Sequence, residues 1–316
     1  MKNRPVFATL NLRGVSMENK QNLHIHSTYA DGKDRPEAMI QTAIQRGFAS
    51  IGFSEHSYME FSDYPYQMTV AQMPDYIQEI RDLQAKYADQ IDVFCGLEYE
   101  MYSTVPTDNL DYIIGSVHYL DIDGQIVGFD RGLSETLTYI EKYFGGDGMA
   151  FSKKYFETIA QLPKKGNFDI VGHFDIHTKH NETAGFVDTM TPEYLQAGYE
   201  AIHALKGKIP LFEVNTGAIS RGYRKTPYPQ LEFLKEFKRC GFGAIITSDC
   251  HDRNDIDCSY TQAEALLKAA GFCTKWILTG EGFKEVGLWN AVEVRRRSRN
   301  DETLRKRSPE NPQWPL

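Results

Sequence analysis

Short apolar runs alternate with longer amphipathic stretches along most of this 316-residue chain. A short apolar run is typical of a buried strand, and an amphipathic stretch with apolar residues every three or four positions is typical of a helix. Repeated units of this kind predict a parallel sheet. The pattern gives one peripheral strand at 275–279 and seven central strands at 23–27, 49–54, 93–97, 112–117, 170–174, 211–215 and 244–248.

Helical patterns fill the intervals between these strands. The segment RPEAMIQTAIQRG has proline in its first turn and ends on glycine, and MPDYIQEIRDLQAKYAD and YPQLEFLKEFKRCG are built alike. The interval from residue 121 to residue 163 is longer and holds two helical patterns, so we expect an insertion there. Because no Gly-rich nucleotide loop follows the first strand, the pattern favours an α/β barrel over a doubly wound sheet.

The two ends of the chain differ from its centre. A second methionine, Met17, precedes a stretch that begins as a domain would, and the segment after residue 294 is rich in arginine and lacks apolar periodicity. We therefore expect a disordered extension at 1–20, a single domain at 21–290 and a disordered basic tail at 295–316.

Composition limits the partners and the compartment. A net charge of −8 argues against a general polyanion-binding surface, so no nucleic-acid partner is expected. No apolar run reaches the roughly 18 residues of a membrane span, and the N-terminus lacks a secretory apolar region, so we expect a cytoplasmic protein without a membrane partner. Five cysteines without CxxC spacing indicate neither a disulfide framework nor a zinc knuckle. The oligomeric state stays open.

Polar residues concentrate where the predicted strands end. In LHIHSTYADG, His24 and His26 would share one face of a strand, although such a pair alone is more often an ordinary surface pair. The active sites of barrels lie at this end of the strands. Six of the nine histidines and several carboxylates stand there: His24, His26, His56, His118, His173, His251, Glu55, Glu98, Glu100, Asp175, Glu213 and Asp249.

Imidazoles and carboxylates that converge on one site are costly to bury unless a cation holds them. Mixed nitrogen and oxygen ligands suit Zn²⁺, Mn²⁺ or Fe²⁺. Six histidines and at least three carboxylates exceed the coordination shell of one ion. The sequence therefore predicts two to three divalent metal ions.

Seven motifs, in this order and spacing, resemble the polymerase and histidinol phosphatase (PHP) family, and most of all its histidinol-phosphate phosphatases: HIHSTYADG, GFSEH, GLEYE, GSVHYL, GHFD, EVNTGA and TSDCH. The resemblance implies a single-domain, TIM-like, distorted (β/α)7 barrel with three ions. It also implies that Glu98 bridges the first two ions. The implied ligands are His24, His26, Glu98 and Asp249 for the first ion, Glu98, His118 and His173 for the second, and Asp31, His56 and His251 for the third.

The same resemblance implies a phosphomonoesterase that hydrolyses L-histidinol phosphate in histidine biosynthesis. Two neighbouring cations lower the pKa of a shared water, and the resulting bridging hydroxide would attack phosphorus. Glu98 and Asp249 would be the catalytic carboxylates that hold these cations. The general acid for the leaving alkoxide could be Asp175 or His177.

Cationic side chains are expected to bind the phosphate of a small-molecule monoester. Arginine binds phosphate with two donors in one plane, and Arg221 and Arg224 follow the sixth strand, where they could contact phosphate or be solvated. Several family members carry an arginine shortly after GHFD, where this chain reads IHTKH. Lys179 and His180 are the substitutes at that position, although a plain loop role is open for the histidine.

Three other functions stay open. A different phosphoesterase could use the same metals on nucleotides, sugar phosphates or phosphotyrosine, although the insertion after His118 favours a small ester. A non-catalytic metal-binding PHP module is the second, and the complete ligand set argues against it. A metal-dependent amidohydrolase would usually require a carbamylated lysine as bridge, where this chain has Glu98.

Overall fold

The computed structural model describes residues 19–62 and 67–288. The predicted extension at 1–20 lies outside these residues except for its last two positions, and the predicted tail at 295–316 lies wholly outside them. The domain boundaries therefore stay a prediction.

Seven parallel strands form the central sheet, and their spatial order follows the chain. The remaining four strands form two antiparallel hairpins. Counted along the chain, the fifth strand pairs with the sixth and the tenth with the eleventh. The strands are β1 Gln21–Asn22, β2 Ser50–His56, β3 Asp92–Glu100, β4 Tyr112–Ser116, β5 Tyr119–Ile122, β6 Gln125–Gly128, β7 Ile170–Val171, β8 Leu211–Asn215, β9 Gly243–Thr247, β10 Thr274–Thr279 and β11 Gly282–Gly287.

The two edges of the sheet meet next to its first strand. A parallel bridge joins Ile25 to Cys250, and the amide of His26 donates to the carbonyl of Cys250 at 3.0 Å. The sheet is thus nearly closed, which confirms the predicted distorted seven-stranded barrel. The predicted peripheral strand is β10, and its hairpin partner β11 was not predicted.

The helices begin and end at the signals that the sequence carries. Proline stands in the first turn of three of them, and the carboxylate of Asp147 caps another by accepting from the amides of Met149 and Ala150 at 2.8 and 3.0 Å. The helices are α1 Pro36–Gln45, α2 Met73–Tyr87, α3 Leu133–Phe144, α4 Gly148–Ile159, α5 Asn181–Ala184, α6 Pro192–Leu205, α7 Gly217–Ser220, α8 Leu231–Cys240 and α9 Tyr260–Ala269. Among the described helices, none combines the length and hydropathy that a bilayer span requires.

The inward face of the strands changes from apolar to polar along the barrel. Early positions such as Phe94, Leu211 and Ile245 belong to one small apolar cluster. Because side chains alternate between faces, Glu98 and Glu213 lie on the same faces a few residues later. One end of the barrel interior is therefore filled with hydrocarbon, and the carboxyl end carries charged groups.

The first strand lies at Gln21–Asn22, just before the predicted segment 23–27. Residues 23–27 form only the bridge at Ile25, because side chains replace the usual ladder partners of their amides. The amide of Ile25 donates to Oγ of Ser54 at 3.2 Å, and that of Ser27 donates to the Glu55 carboxylate at 3.0 Å. The fifth central strand also ends early, at Val171, because the chain turns at His173, whose carbonyl accepts from the amide of Ile176 at 2.9 Å.

The insertion begins with the β5–β6 hairpin, which the sequence interpretation missed, and continues with the two expected helices. Asp123 and Gly124 form its turn with positive φ angles of 52° and 87°. Two left-handed residues in a row fit the twist of a hairpin, and Asp-Gly is a favoured pair there. The signal was present as DG between the alternating apolar residues of YLDIDGQIV.

Candidate metal centre

The nine predicted metal ligands lie together at the carboxyl ends of the barrel strands. His24, His26, Glu98 and His173 are all at most 1% exposed. Each of the six histidines among them has a ring nitrogen within 4.0 Å of an oxygen of Glu98, Asp31 or Asp249. Residues that are far apart in the chain are adjacent here because parallel strands end at one edge of the barrel.

Glu98 lies at the centre of the cluster. Its Oε1 is 2.8 Å from Nε2 of His173 and 3.5 Å from Nε2 of His118. Its Oε2 is 2.7 Å from Nδ1 of His56, 3.4 Å from Nε2 of His24 and 3.6 Å from Nε2 of His26. The two oxygens of one carboxylate thus face different groups of imidazoles, which is the arrangement a bridging ligand requires.

Two aspartates complete the cluster. Oδ1 of Asp249 lies 3.3 Å from Nε2 of His26 and 3.7 Å from Nε2 of His24. Asp31 has Oδ1 at 3.1 Å from Nε2 of His251 and Oδ2 at 3.6 Å from Nε2 of His56. Asp31 therefore approaches the imidazoles on the side away from the Glu98–His173 contact.

Donor atoms in this cluster form overlapping sets that are close enough to share an ion. His24 belongs to two of these sets and His118 to none. The sets therefore differ from the three ligand groups that the family resemblance implies, and those groups stay a prediction. The sets are His26, Asp31, His56 and His251; His24, Glu98 and His173; and His24, His26 and Asp249.

The buried imidazoles fit metal ions. Nε2 of His24 and both ring nitrogens of His26 are buried without a hydrogen-bond partner among the described residues, an arrangement that is costly unless another group uses these atoms. Burial, aided by the neighbouring His56 and His251, lowers the pKa of His26 to about 3. The ring is therefore neutral at pH 7, which is the form that binds a metal ion.

Carboxylates behind the cluster orient its imidazoles. Oε2 of Glu213 lies 2.9 Å from Nδ1 of His24, so that Nε2 of the ring faces the centre. Oε2 of Glu100 lies 2.9 Å from Nδ1 of His118 and also accepts from its amide at 2.9 Å. Such contacts fix the tautomer and direction of a ligand ring. From the sequence, both glutamates were predicted to lie at strand ends, but their role in orienting the histidines was not predicted.

The two predicted phosphate-binding arginines differ in their surroundings. Arg221 donates to the carboxylate of Asp249 at 3.1 Å and to its carbonyl at 2.8 Å, beside Nδ1 of His251 at 2.9 Å. Arg224 lies over the ring of Tyr228, 4.4 Å from its centre, and donates to Oγ1 of Thr178 at 2.7 Å. Arg221 thus touches the metal cluster, and Arg224 touches none of the nine predicted ligands.

The two predicted general acids are both buried. Asp175 is 1% exposed and accepts from the amide of Gln230 at 3.0 Å. The ring of His177 lies among aromatic rings, 4.3 Å from the centre of Tyr155 and 5.0 Å from that of Phe156, and burial holds its pKa well below the usual range. These surroundings favour a packing role for His177, and the choice of general acid stays a prediction.

The segment after GHFD lies next to the insertion. Nζ of Lys179 donates to Oδ1 of Asp130 at 2.9 Å, and Nε2 of His180 lies 2.9 Å from the carbonyl of Arg131. Both predicted substrate-binding residues thus contact the segment after β6, at Asp130 and Arg131. Sequence reasoning missed Asp130 and Arg131, because only the fold of the hairpin brings them here.

A cleft opens beside the cluster and is lined by three of its nine ligands. His56, Glu98 and His118 form its floor, and the insertion supplies much of one wall. Its other lining residues are Ser57, Met59, Gln67, Glu100, Tyr119, Gly128, Asp130 and Arg131. The insertion therefore borders the access to the predicted ligands, as the sequence led us to expect.

Known proteins of one kind resemble this chain. A "Probable histidinol-phosphatase" of Deinococcus radiodurans is 28% identical over 266 residues, which cover 78% of this chain and 92% of that protein. The histidinol-phosphatase of Lactococcus lactis is 27% identical, with 80% of this chain and 92% of that protein covered. A crystal structure of the Lactococcus lactis histidinol phosphate phosphatase, complexed with zinc, L-histidinol and phosphate, has a TM-score of 0.65 and 23% identity, and covers 84% of this chain and 98% of that one.

The family model of the PHP domain matches residues 22–217. The match extends over more than half of the 316 residues and includes the last residue of β1 and the strands from β2 to β8. Seven of the nine predicted ligands fall inside it, and Asp249 and His251 follow on the next strand end. The chain belongs to the PHP domain family.

Proposed function

We propose that the protein is a metal-dependent phosphomonoesterase that hydrolyses L-histidinol phosphate to L-histidinol and phosphate. The observation that carries the proposal is the position of Glu98, whose two oxygens face separate groups of imidazoles at the floor of an open cleft. Curated relatives at 27–28% identity that span most of the chain are named histidinol-phosphatases, which supports this substrate.

The ligands proposed for two to three Zn, Mn or Fe ions are those that the family resemblance implies: His24, His26, Asp31, His56, Glu98, His118, His173, Asp249 and His251. When bound, such ions lower the pKa of water and neutralise phosphoryl charge. The side chains supply the geometry. Glu213 and Glu100 direct Nε2 of His24 and His118 toward the centre, and Arg221 holds the carboxylate of Asp249.

Binding of the phosphate is proposed for cations at the cleft. Arg221 is beside Asp249 and His251, and Arg131 lines the cleft together with His118. Lys179 and His180 contact the wall that Asp130 and Arg131 form, so they can support phosphate binding from behind. Arg224 is the least favourable of the predicted cations, because its guanidinium lies over Tyr228.

A panel of phosphate esters tests the function. We expect kcat/KM for L-histidinol phosphate to exceed that for nucleotides, sugar phosphates and phosphotyrosine by at least ~100-fold, because the cleft is small and walled by the insertion. Complementation of a histidine auxotroph that lacks this step tests the same proposal in cells. Equal rates across the panel would indicate a phosphoesterase without this specificity, and the absence of any turnover by metal-loaded protein would indicate a non-catalytic module.

A further inference from the structure

One carboxylate of the cleft takes no part in the metal cluster. Among the described residues, three carboxylates line the cleft, and two of them are hydrogen-bonded to imidazoles, Glu98 to His173 and Glu100 to His118. The third, Asp130, contacts no predicted ligand through its side chain among the described residues. Its side chain is 20% exposed. It therefore presents negative charge to whatever occupies the cleft.

The position of Asp130 relative to the cluster is fixed by its neighbour in the chain. The amide of Phe129 donates to the carbonyl of His118 at 3.1 Å, which ties the end of the hairpin to a predicted ligand. The ring of Phe129 is 2% exposed and packs edge-on against Phe151 and Tyr155, at 5.5 and 5.6 Å between centres. A carboxylate that follows such an anchored residue is held in place before any ligand binds.

Lys179 compensates part of the charge and leaves room for a second cation. Its Nζ donates to Oδ1 of Asp130 at 2.9 Å and also lies 4.8 Å above the ring of Tyr223. An ionised carboxylate has four acceptor positions, so one lysine does not exhaust it. Burial raises the pKa of the Asp130 carboxyl, but the ammonium of Lys179, with His118 nearby, lowers it more. The pKa therefore lies below its usual range, and the group is ionised at pH 7.

We propose that Asp130 is a specificity-determining residue that binds the protonated amine of the alcohol part of the substrate. The inference rests on the proposed function. With the phosphate directed toward the predicted metal ligands on the cleft floor, the alcohol part extends along the wall that Tyr119, Gly128 and Asp130 form. An ester whose alcohol carries an ammonium group gains a charge-assisted hydrogen bond there, and a neutral alcohol gains none.

Two pairs of esters, each differing only in the amine, test this role. They are L-histidinol phosphate against 3-(imidazol-4-yl)propyl phosphate, and 2-aminoethyl phosphate against ethyl phosphate. We expect the wild-type protein to favour the amine in each pair, and Asp130→Asn to reduce that preference in kcat/KM by about 30-fold, as for loss of one hydrogen bond to a charged group. L-Histidinol alone, titrated by calorimetry, should bind the variant more weakly by a similar factor.

Matched variants separate this role from structural effects. Lys179→Met should keep or increase the preference for the amine, because it removes a cation that compensates part of the charge of Asp130. Glu141 is an exposed carboxylate on α3, and Glu141→Gln should change neither the preference for the amine nor kcat/KM for either ester. Metal content and the midpoint of thermal unfolding of Asp130→Asn should match the wild type, which excludes damage to the cluster.

The outcomes are distinguishable from failure of the proposed function. The wild type could hydrolyse L-histidinol phosphate without preferring the amine in either pair, or Asp130→Asn could lower kcat/KM for both esters of a pair equally. In either case the specificity role is wrong and the proposed function stands. If the wild type does not hydrolyse L-histidinol phosphate, the function is wrong, and the aminoethyl and ethyl esters alone decide the role of Asp130.

Discussion

Oε1 of Glu98 lies 2.8 Å from Nε2 of His173, although 75 positions separate the two residues in the chain. The contact joins β3, near its end, to the second residue after β7, and these strands are not neighbours, because β4 lies between them. The other oxygen of Glu98 faces His56, at the end of the adjacent β2. Glu98 thus joins ligands from three strand ends.

Replacement of Glu98 by glutamine tests the bridging role. The change keeps the size of the side chain but removes the charge and replaces one carboxylate oxygen with an amide nitrogen, so we expect loss of metal and a fall in activity of ~10³-fold or more with the fold retained. Elemental analysis, circular dichroism and the rate with L-histidinol phosphate measure the three quantities.

Glu100→Gln is the matched control, two residues further along the same strand. Glu100 supports His118 through hydrogen bonds and is not one of the predicted ligands, so its variant should keep most of the metal and lose only ~10–100-fold in metal affinity or rate. Near-normal metal and rate in Glu98→Gln, with loss of both in Glu100→Gln, would mean that the ligand on β3 has been assigned to the wrong glutamate.

The number of bound ions is the second prediction. We expect two to three equivalents of Zn, Mn or Fe per chain after expression in metal-supplemented medium, because the cluster holds nine donor residues and a tetrahedral zinc site needs about four ligands. Removal of the metal by a chelator should abolish hydrolysis, and added metal should restore it. A content of about one ion or none would contradict a multinuclear centre.

Glu213→Gln should weaken metal binding, although Glu213 is not itself a predicted ligand. The carboxylate lies 2.9 Å from Nδ1 of His24 and accepts from Oγ1 of Thr247 at 2.8 Å, so the variant loses the charge that orients the ring. We expect metal affinity, measured by competition with a chelator, to fall ~10–100-fold. Glu236→Gln, a buried carboxylate that contacts His203 instead, is the control and should leave the affinity unchanged.

Glu236 gives a prediction for stability against pH. Hydrogen bonds from Arg239, with His203 nearby, lower the pKa of Glu236 from 4.5 to about 2. A lowered pKa in the folded state means that the stabilisation is complete above pH 4.5 and is lost as the pH falls toward 2. Glu236→Gln should therefore lower the free energy of unfolding by about 1–2 kcal/mol at pH 7, and by less below pH ~4.5.

Urea denaturation of both proteins at several pH values between 7 and 3 measures this difference. Glu232→Gln on the same helix is the control. Its partner Lys235 is a half-exposed surface lysine, so the expected change is under about 0.5 kcal/mol. A constant difference between wild type and Glu236→Gln down to pH 3 would contradict the lowered pKa.

The order of the barrel strands could be predicted from the chain, because each strand is a local apolar run and parallel strands are joined by the helices between them. The predicted strand at 211–215 agrees with β8, Leu211–Asn215, at both ends. The strand-end position of most candidate ligands could be predicted for the same reason, whereas their grouping around ions is what the family resemblance implies. Once a residue such as His173 or Glu98 is placed at a strand end, the topology alone brings it to the carboxyl edge of the barrel.

Local pattern could not predict where side chains replace backbone hydrogen bonds. The segment around His24 reads as a strand, but Ser54 and Glu55 bind its amides from the next strand. His177 looked available for proton transfer two residues after Asp175. The tertiary structure encloses it between α4 and α6, because the packing of Tyr155 and Tyr194 depends on the whole helical layer.

The sequence by itself determined the architecture of alternating strands and helices and the donor atoms at the strand ends, since both follow from patterns within a few residues. Only the tertiary structure decided which distant groups meet: Glu213 with His24 across 189 positions, and Lys179 with Asp130 across 49. These contacts depend on the closure of the barrel and on the path of the insertion. Both are set by packing over the whole domain, so no short segment of the chain encodes them.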